Sequence, residues 1–257
     1  MTESIRKFRE SLNSRQGSLG PFMITSDAAL VEAAALAGYD FVLLDMEHGP
    51  GTYENLQNLI RAAEVHNVMT VVRVPRGTDI MIDRALDVGA GAVLIPQIDN
   101  AEQARKAIAA AKFSPRGNRG VCRYVRAAQY GSMNTAEYFE QANDTMVILQ
   151  AEGKTAFDNL DEILSVEGID ILFIGPYDLS GSLGLIGQVN HPTVISYIKE
   201  IIKKAGEKNV MVGTFADNVE TAVKWRDMGV KFIGYSCDMG LFYNAAKKDV
   251  DAFHINK

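Results

Sequence analysis

The 257-residue sequence predicts an α/β protein that folds as a single (β/α)8 TIM barrel. Eight short apolar runs recur along the chain, longer segments with helical patterning separate them, and no linker or low-complexity stretch divides the sequence. Runs that are apolar at nearly every position are typical of parallel strands buried on both faces. A strict strand–helix repeat permits an open doubly wound sheet or a closed barrel. Eight repeats favour the barrel, because that fold typically needs about 250 residues.

The predicted elements alternate in a fixed order from the first strand to the last. We predict strands at 20–24, 41–45, 70–75, 92–95, 146–150, 171–174, 210–215 and 231–235. Helical spacing of apolar residues predicts helices at 27–37, 52–66, 79–88 and 194–205, another that begins at Asn100, and one that Asp217 caps and that ends at Gly229. Glycines at several helix ends favour short turns into the next strand.

One connection is too long for a plain strand–helix unit. Residues 112–145, between the fourth and fifth strands, contain an Arg- and Gly-rich segment at 116–120 and a predicted helix at 135–142. Long insertions in compact domains are often active-site loops. We therefore expect this insertion, within the single domain at 1–257, to be an active-site loop.

The composition restricts the partners and the compartment. The net charge is −6 and the pI is near 5.3, so the phosphate backbone of a nucleic acid would gain little from this surface. The two cysteines, Cys122 and Cys237, indicate a reducing compartment more than a disulfide framework. No apolar run approaches the ~20 residues of a membrane span, and the N-terminus lacks a signal-peptide pattern. We expect a cytoplasmic protein with no membrane or nucleic-acid partner.

Two carboxylates follow neighbouring predicted strands. Glu152 comes directly after the fifth strand and Asp178 shortly after the sixth. Chemistry in such barrels lies where strands end, and adjacent strands are about 5 Å apart, so the two acids could share one ion. Oxygen ligands without clustered His or Cys suit Mg²⁺ or Mn²⁺. Each acid could instead cap the helix that follows it, and spacing alone leaves these alternatives equal.

Two further strand ends carry candidate groups. His48 follows Asp45 and Glu47 in the loop after the second strand, and a histidine beside a carboxylate is a natural general base. The alternative is a loop histidine bonded to backbone. Arg73 interrupts an apolar third strand and therefore needs an anion nearby. That anion could be a substrate carboxylate or oxyanion, or a structural partner such as Asp45 or Glu47.

Together these motifs resemble the HpcH/HpaI aldolase family of class II pyruvate aldolases, which includes the hydroxyheptenedioate and dehydrodeoxyglucarate aldolases. The resemblance spans nearly the whole chain, with its blocks in family order, at 45–49, 72–75, 115–121, 152 and 173–180. It implies the same barrel, commonly a hexamer or trimer of dimers with an exchanged last helix. It also implies cleavage of a 4-hydroxy-2-oxo acid, from aromatic or sugar-acid catabolism, to pyruvate and an aldehyde.

The resemblance assigns a role to each candidate residue. Glu152 and Asp178 match the ligands of a divalent cation, Mg²⁺, Mn²⁺ or Co²⁺. His48 matches the acid/base histidine paired with Asp45, and Arg73 matches the arginine that steadies the pyruvate enolate. The groups implied to bind the 2-oxo acid are Gln150 and the segment formed by Gly175, Tyr177 and Asp178.

Three alternatives to this function stay open at the level of sequence. A class I aldolase would use a Schiff-base lysine, and Lys154 is the lysine just past a strand end near the site. A related lyase could cleave a malyl-CoA or citramalyl-CoA, and a barrel without turnover could bind a keto acid alone. The chain also departs from the family at Gly153–Lys154 and at Cys122, and these changes bear on substrate identity.

Overall fold

The computed structural model describes residues 3–76 and 79–255 and shows a closed barrel of eight parallel strands paired in chain order. This confirms the predicted (β/α)8 TIM barrel, and every predicted strand is present with small changes at its ends. The strands are β1 (Ser18–Met23), β2 (Phe41–Asp45), β3 (Met69–Arg73), β4 (Ala92–Ile95), β5 (Met146–Ala151), β6 (Ile171–Ile174), β7 (Met211–Ala216) and β8 (Phe232–Cys237).

Twelve α-helices and one 3-10 helix, Arg126–Gly131, lie in the described part of the chain. The α-helices are α1 (Glu3–Asn13), α2 (Ala28–Leu36), α3 (Tyr53–Val65), α4 (Asp79–Asp87), α5 (Ala101–Ala111), α6 (Thr135–Ala142), α7 (Lys154–Asp158), α8 (Leu160–Ile163), α9 (Pro176–Ser182), α10 (Pro192–Glu207), α11 (Val219–Asp227) and α12 (Asp238–Ile255). Among these helices and those described residues, none is long and apolar enough to cross a membrane.

Of the two predicted N-caps, Asn100 is confirmed and Asp217 is wrong. The side chain of Asn100 accepts a hydrogen bond from the backbone of Gln103, as an N-cap should. The predicted cap Asp217 is displaced by one residue, because Asn218 is the N-cap of α11 and accepts from the backbone of Thr221. The carboxylate of Asp217 is thereby available to a side chain outside α11.

The core consists of two layers separated by the barrel wall. Side chains that point inward fill the barrel, and those that point outward pack against the helices. The helix α1 closes the barrel at the N-terminal ends of the strands, which we call the basal face. There the ring of Phe8 meets Phe41 and Phe232 at centroid distances of 5.6 and 6.1 Å.

The long insertion lies at the basal face, so the expectation that it is an active-site loop of its own barrel is wrong. It follows α5 and precedes β5, which makes it a connection from a helix back to a strand. The Arg119 guanidinium donates to Asp87 at 2.8 Å, and Arg126 donates to the Val88 carbonyl at 3.0 Å, both near the end of α4. Insertion length therefore marked an irregular segment without showing at which end of the barrel it lies.

The two-residue periodicity of the strands places polar residues at the C-terminal ends of the strands, opposite the basal face. We call this end of the barrel the catalytic face. Phe41, Leu43 and then Asp45 follow one another at every second position, and because side chains alternate along a strand they share the inward side. Arg73, the last residue of β3, and Gln150, the next-to-last residue of β5, continue the inward-facing side of their strands in the same way. The register pairs Asp45 with Arg73 directly.

Candidate active site

The guanidinium of Arg73 is held between two carboxylates on the catalytic face. Arg73 Nε and Nη2 donate to Asp45 at 2.9 and 2.6 Å, and Nη1 lies 3.1 Å from an oxygen of Glu47. The guanidinium carbon also lies 5.0 Å from the centre of the Phe22 ring. The structural ion pair foreseen for Arg73 is thus present with both acids, and two carboxylates surround one positive charge.

The expected pairing of Asp45 with the imidazole of His48 does not occur among the described residues. One oxygen of Asp45 accepts from Arg73 and from the backbone N–H groups of Glu47 and His48, at 3.0 and 3.4 Å. The carboxylate thus shapes the turn that carries His48, and its remaining oxygen is taken up by Arg73. His48 itself is exposed at the mouth of the barrel, open to a substrate from solvent.

The carboxylates of Glu152 and Asp178 face the same small space. A Cβ atom at Gly175 would lie 3.1 Å from Glu152 Oε2 and 3.5 Å from Asp178 Oδ2, so one point lies within 3.5 Å of both oxygens. The same atom would lie 2.9 Å from Glu152 Cβ, which is closer than real Cβ contacts. Glycine at position 175 therefore keeps the space between the two acids open.

Neither acid serves as a helix cap in the described structure. The N-cap of α7 is Gly153 and that of α9 is Gly175, and neither helix has a side-chain cap hydrogen bond. The alternative assignment of Glu152 and Asp178 as caps is therefore wrong. No helix backbone therefore competes for their oxygens.

Without a positive partner, it costs free energy to ionise both Glu152 and Asp178. Burial, together with the charges of Asp178 and Glu47, raises the pKa of Glu152 to about 7, although a hydrogen bond from Gln150 and the charge of Arg73 oppose the change. Burial also raises the pKa of Glu47, against the attraction of Arg73. Carboxylates crowded in this way accept either protons or a cation.

Gln150 links the pair to the barrel interior. Its amide nitrogen donates to Glu152 Oε2, and its amide oxygen is buried with no hydrogen-bond partner among the described residues. Only 2% of Gln150 is exposed. Gln150 therefore holds Glu152 in place, and its buried, unpartnered oxygen suits a bound donor or cation.

The donor set fits a divalent cation that keeps an open coordination shell. Glu152 and Asp178 supply hard oxygen ligands of the kind Mg²⁺ and Mn²⁺ prefer. No group of three or more His, Cys, Asp or Glu side chains placed to hold a metal occurs within residues 3–76 and 79–255. A cation at the pair would complete its shell with water and substrate, as catalytic ions do.

The rim beside this pair contains Asp217 and Phe215, to which the sequence assigned no role in the site. The hydroxyl of Tyr177 donates to Asp217, with both carboxylate oxygens at 3.0 Å. The Tyr177 ring also lies 6.2 Å from that of Phe215, which contacts Phe22 in turn. No sequence signal pointed to Asp217 as a partner, since it reads as a helix cap, and Phe215 reads as an ordinary strand residue.

Comparison with known proteins places the chain in a family. The model of the HpcH/HpaI aldolase/citrate lyase family matches residues 19–245. The 2-keto-3-deoxy-L-rhamnonate aldolase of Escherichia coli K12 is 37% identical over 255 residues, which is 97% of this chain and 94% of that protein. These matches include all of the strand ends described above.

Solved structures agree with this assignment. An HpcH/HpaI aldolase/citrate lyase family protein from Burkholderia cenocepacia J2315 has a TM-score of 0.91 and 31% identity, covering 98% of this chain and 99% of that one. The citrate synthase SbnG has a TM-score of 0.87 and 27% identity, covering 97% and 98%. The chain therefore belongs to the HpcH/HpaI aldolase/citrate lyase family and is a carbon–carbon lyase of the aldolase type.

Proposed function

We propose that the chain catalyses the reversible, cation-dependent aldol cleavage of a 4-hydroxy-2-oxo acid to pyruvate and an aldehyde. The observation that carries the proposal is the pair Glu152 and Asp178, which share an open space beside Arg73. The related E. coli enzyme acts on a 2-keto-3-deoxy sugar acid, so we propose a substrate of the same class. The natural context would be sugar-acid catabolism.

Glu152 and Asp178 would hold the cation, which we propose to be Mg²⁺, Mn²⁺ or Co²⁺. When bound, the cation supplies positive charge that stabilises the negative charge of an enolate. Burial and the charge of Asp178 both raise the pKa of Glu152, so a cation between the two acids would offset the cost of ionising them together. Gln150 keeps the Glu152 carboxylate turned toward the shared space by donating to it.

Arg73 supplies further positive charge to the developing enolate. Asp45 accepts a hydrogen bond from Nη2 and Glu47 forms an ion pair with Nη1, and each of these nitrogens carries a second N–H group. The guanidinium is therefore oriented before the substrate arrives. Preorganised donors of this kind are usually the largest contribution to such catalysis.

His48 is the general base for the proton transfer of the aldol step. In the cleavage direction it accepts the proton of the C4 hydroxyl, the C3–C4 bond breaks, the aldehyde leaves and the bonding electrons remain as the pyruvate enolate. A proton returned to C3 then completes pyruvate, so the step balances without an oxidant or reductant. The support for His48 is its position at the open mouth of the barrel, in the turn that Asp45 fixes.

The 2-oxo acid carboxylate would bind at the end of β6. We propose that the backbone around Gly175, Tyr177 and Asp178 receives it. Gly175 leaves room there, and the backbone N–H groups of Tyr177 and Asp178, in the first turn of α9, have no helical acceptors. Gln150 would contact the same substrate through its unpartnered oxygen or a water. These roles orient the reacting bond over Arg73.

The test is a pyruvate-release screen over 4-hydroxy-2-oxo acids, with EDTA-treated protein and with added Mg²⁺, Mn²⁺ or Co²⁺. We expect at least one sugar-derived member to be cleaved, EDTA to abolish release and a cation to restore it. Glu152→Gln is the matched variant, because it keeps the shape and loses the charge. Absence of cation-dependent cleavage with every member would overturn the proposal and favour a keto-acid-binding barrel.

The assembly and the compartment are part of the same proposal. We propose a homo-oligomer, a hexamer or trimer of dimers, because α12 leaves large apolar side chains exposed, among them Phe242, Tyr243 and Phe253. Exposed apolar surface of this kind marks an interaction site. We also propose a cytoplasmic location, where the free thiols of Cys122 and Cys237 would stay reduced. Light scattering on the purified protein measures the assembly directly.

A further inference from the structure

The first turn of α9 connects three strand ends on the catalytic face. It follows β6, and its consecutive side chains Tyr177 and Asp178 reach the residues that follow the two neighbouring strands. Tyr177 contacts Asp217, which follows β7. Asp178 faces Glu152, which follows β5, across the space that Gly175 leaves open. A displacement of Tyr177 would therefore also move Asp178, because the two residues are adjacent in one helical turn.

The lower side of the turn is anchored firmly. Leu179 and Ser180 are buried, and the hydroxyl of Ser180 donates to the Tyr177 carbonyl at 2.6 Å and accepts from the Gly187 backbone at 3.0 Å. The upper side is different, because Tyr177 and Asp178 are both exposed. The contacts of the Tyr177 side chain, to Asp217 and to the Phe215 ring, tie this upper side to the barrel rim.

Repulsion acts on the same turn from the opposite direction. A single point lies 3.1 Å from Glu152 Oε2 and 3.5 Å from Asp178 Oδ2, so the two like charges oppose each other across this space when no cation is present. Asp178 would relax away from Glu152 unless the turn is held. A carboxylate beyond β7 that accepts the Tyr177 hydroxyl, with both oxygens at 3.0 Å, is placed to hold it.

We infer that the hydrogen bond from Tyr177 to Asp217 is a positioning contact that keeps Asp178 at the distance from Glu152 that cation binding requires. Tyr177 and Asp217 are positioning residues in this scheme, since they act through Asp178. The inference rests on the proposed function, in which Asp178 is a cation ligand. It adds to that function two residues on the β7 side of the site.

The experiment uses EDTA-treated full-length protein and Mn²⁺ alone as the probe. Tyr177→Phe keeps the ring against Phe215 and removes the donor, and Asp217→Ala removes the acceptor. Asp217→Asn keeps an acceptor without the charge. Tyr124→Phe, at an exposed tyrosine of the basal insertion, is the matched control. Titration calorimetry gives the Mn²⁺ affinity, and hydrogen exchange follows the Leu179 amide, which donates to Gly175.

We expect Tyr177→Phe and Asp217→Ala to weaken Mn²⁺ binding by about fivefold, the loss of one partly exposed hydrogen bond to a charged group. Asp217→Asn should stay within about twofold of the parent, because its carbonyl still accepts the hydroxyl. In pyruvate release, the Mn²⁺ concentration needed for half activity should rise by a similar factor in both variants, and for Asp217→Ala kcat at saturating Mn²⁺ should change little. Exchange of the Leu179 amide should quicken in Tyr177→Phe and Asp217→Ala only.

Two results would overturn the inference. Parent-like Mn²⁺ binding and parent-like amide exchange in Tyr177→Phe would show that the contact positions nothing. Equal losses in Asp217→Asn and Asp217→Ala, with Tyr177→Phe unaffected, would show that Asp217 acts through its charge alone. Failure of the parent itself to bind Mn²⁺ would instead count against the proposed function, and the amide exchange in metal-free protein would still decide whether the contact holds the turn.

Discussion

Removing the charge of Glu152 should stabilise the metal-free protein and destabilise the metal-bound one. Its pKa is raised from 4.5 to about 7 in the fold. Between these values the unfolded chain has released a proton that the folded chain retains, so stability falls as pH rises. A fully buried group with this shift would cost about 3 kcal/mol at alkaline pH. Because Glu152 is partly exposed, we expect about 1.5–2 kcal/mol.

Glu152→Gln cannot ionise and therefore escapes this cost. In EDTA, its free energy of unfolding should exceed that of the parent by about 1.5–2 kcal/mol near pH 8 and by little near pH 5. Saturating Mn²⁺ should reverse the order near pH 8, because the cation stabilises only the folded state that binds it.

Urea denaturation followed by circular dichroism measures both states, at one protein concentration so that assembly does not differ. Two results would refute the reasoning. One is a Glu152→Gln variant that is less stable than the parent in EDTA near pH 8. The other is a difference between the two proteins that does not change with pH.

Three further predictions address the neighbouring residues. Arg73→Lys replaces the guanidinium, which reaches both Asp45 and Glu47, with one ammonium group. Pyruvate release should therefore fall about 100-fold or more, while the Mn²⁺ affinity measured by calorimetry should not change. Full turnover would remove Arg73 from the mechanism. Asp45→Ala removes the carboxylate that accepts two hydrogen bonds from the buried Arg73 guanidinium. Urea denaturation should show that the free energy of unfolding falls by about 3 kcal/mol. An unchanged free energy of unfolding would mean that Glu47 alone is enough to stabilise the guanidinium. Borohydride with pyruvate should leave no adduct by mass spectrometry, because Lys154 is exposed and ion-paired with Asp158; a trapped adduct would establish a class I mechanism.

The barrel and its catalytic face follow from patterns that are local in the sequence. Continuous apolar runs identified all eight strands, because strands buried on both faces have no polar side. Polar groups at strand ends, such as Arg73 and Gln150, stand out against those runs. The pairing of Glu152 with Asp178 was also foreseeable, because the order of parallel strands in a barrel follows the order in the chain.

The contacts that the sequence did not reveal depend on three-dimensional competition for partners. Asp45 precedes His48 by three residues, yet the guanidinium of Arg73 occupies its carboxylate, because the register of β2 and β3 sets the two side by side. Asp217 adjoins a helix start, but Asn218 takes the cap and leaves Asp217 for Tyr177. Residue spacing along the sequence reveals neither of these two contacts.

The insertion at 112–145 shows a different limit. Its length predicts a departure from the plain repeat, and a strand–helix repeat alternates the two ends of the barrel. The insertion follows α5 and not β4. Counting the helix before it would have placed it at the basal face. Insertion length alone carries no information on the end of the barrel.

The central claim is that Glu152 and Asp178 hold a catalytic divalent cation, and Mn²⁺ titration of EDTA-treated protein followed by electron paramagnetic resonance tests it most directly. The parent chain and His48→Ala should each bind one Mn²⁺ per chain, because His48 is not a proposed ligand. The double variant Glu152→Gln/Asp178→Asn should bind none at the same concentrations. Equal Mn²⁺ binding by the double variant and the parent would contradict the claim.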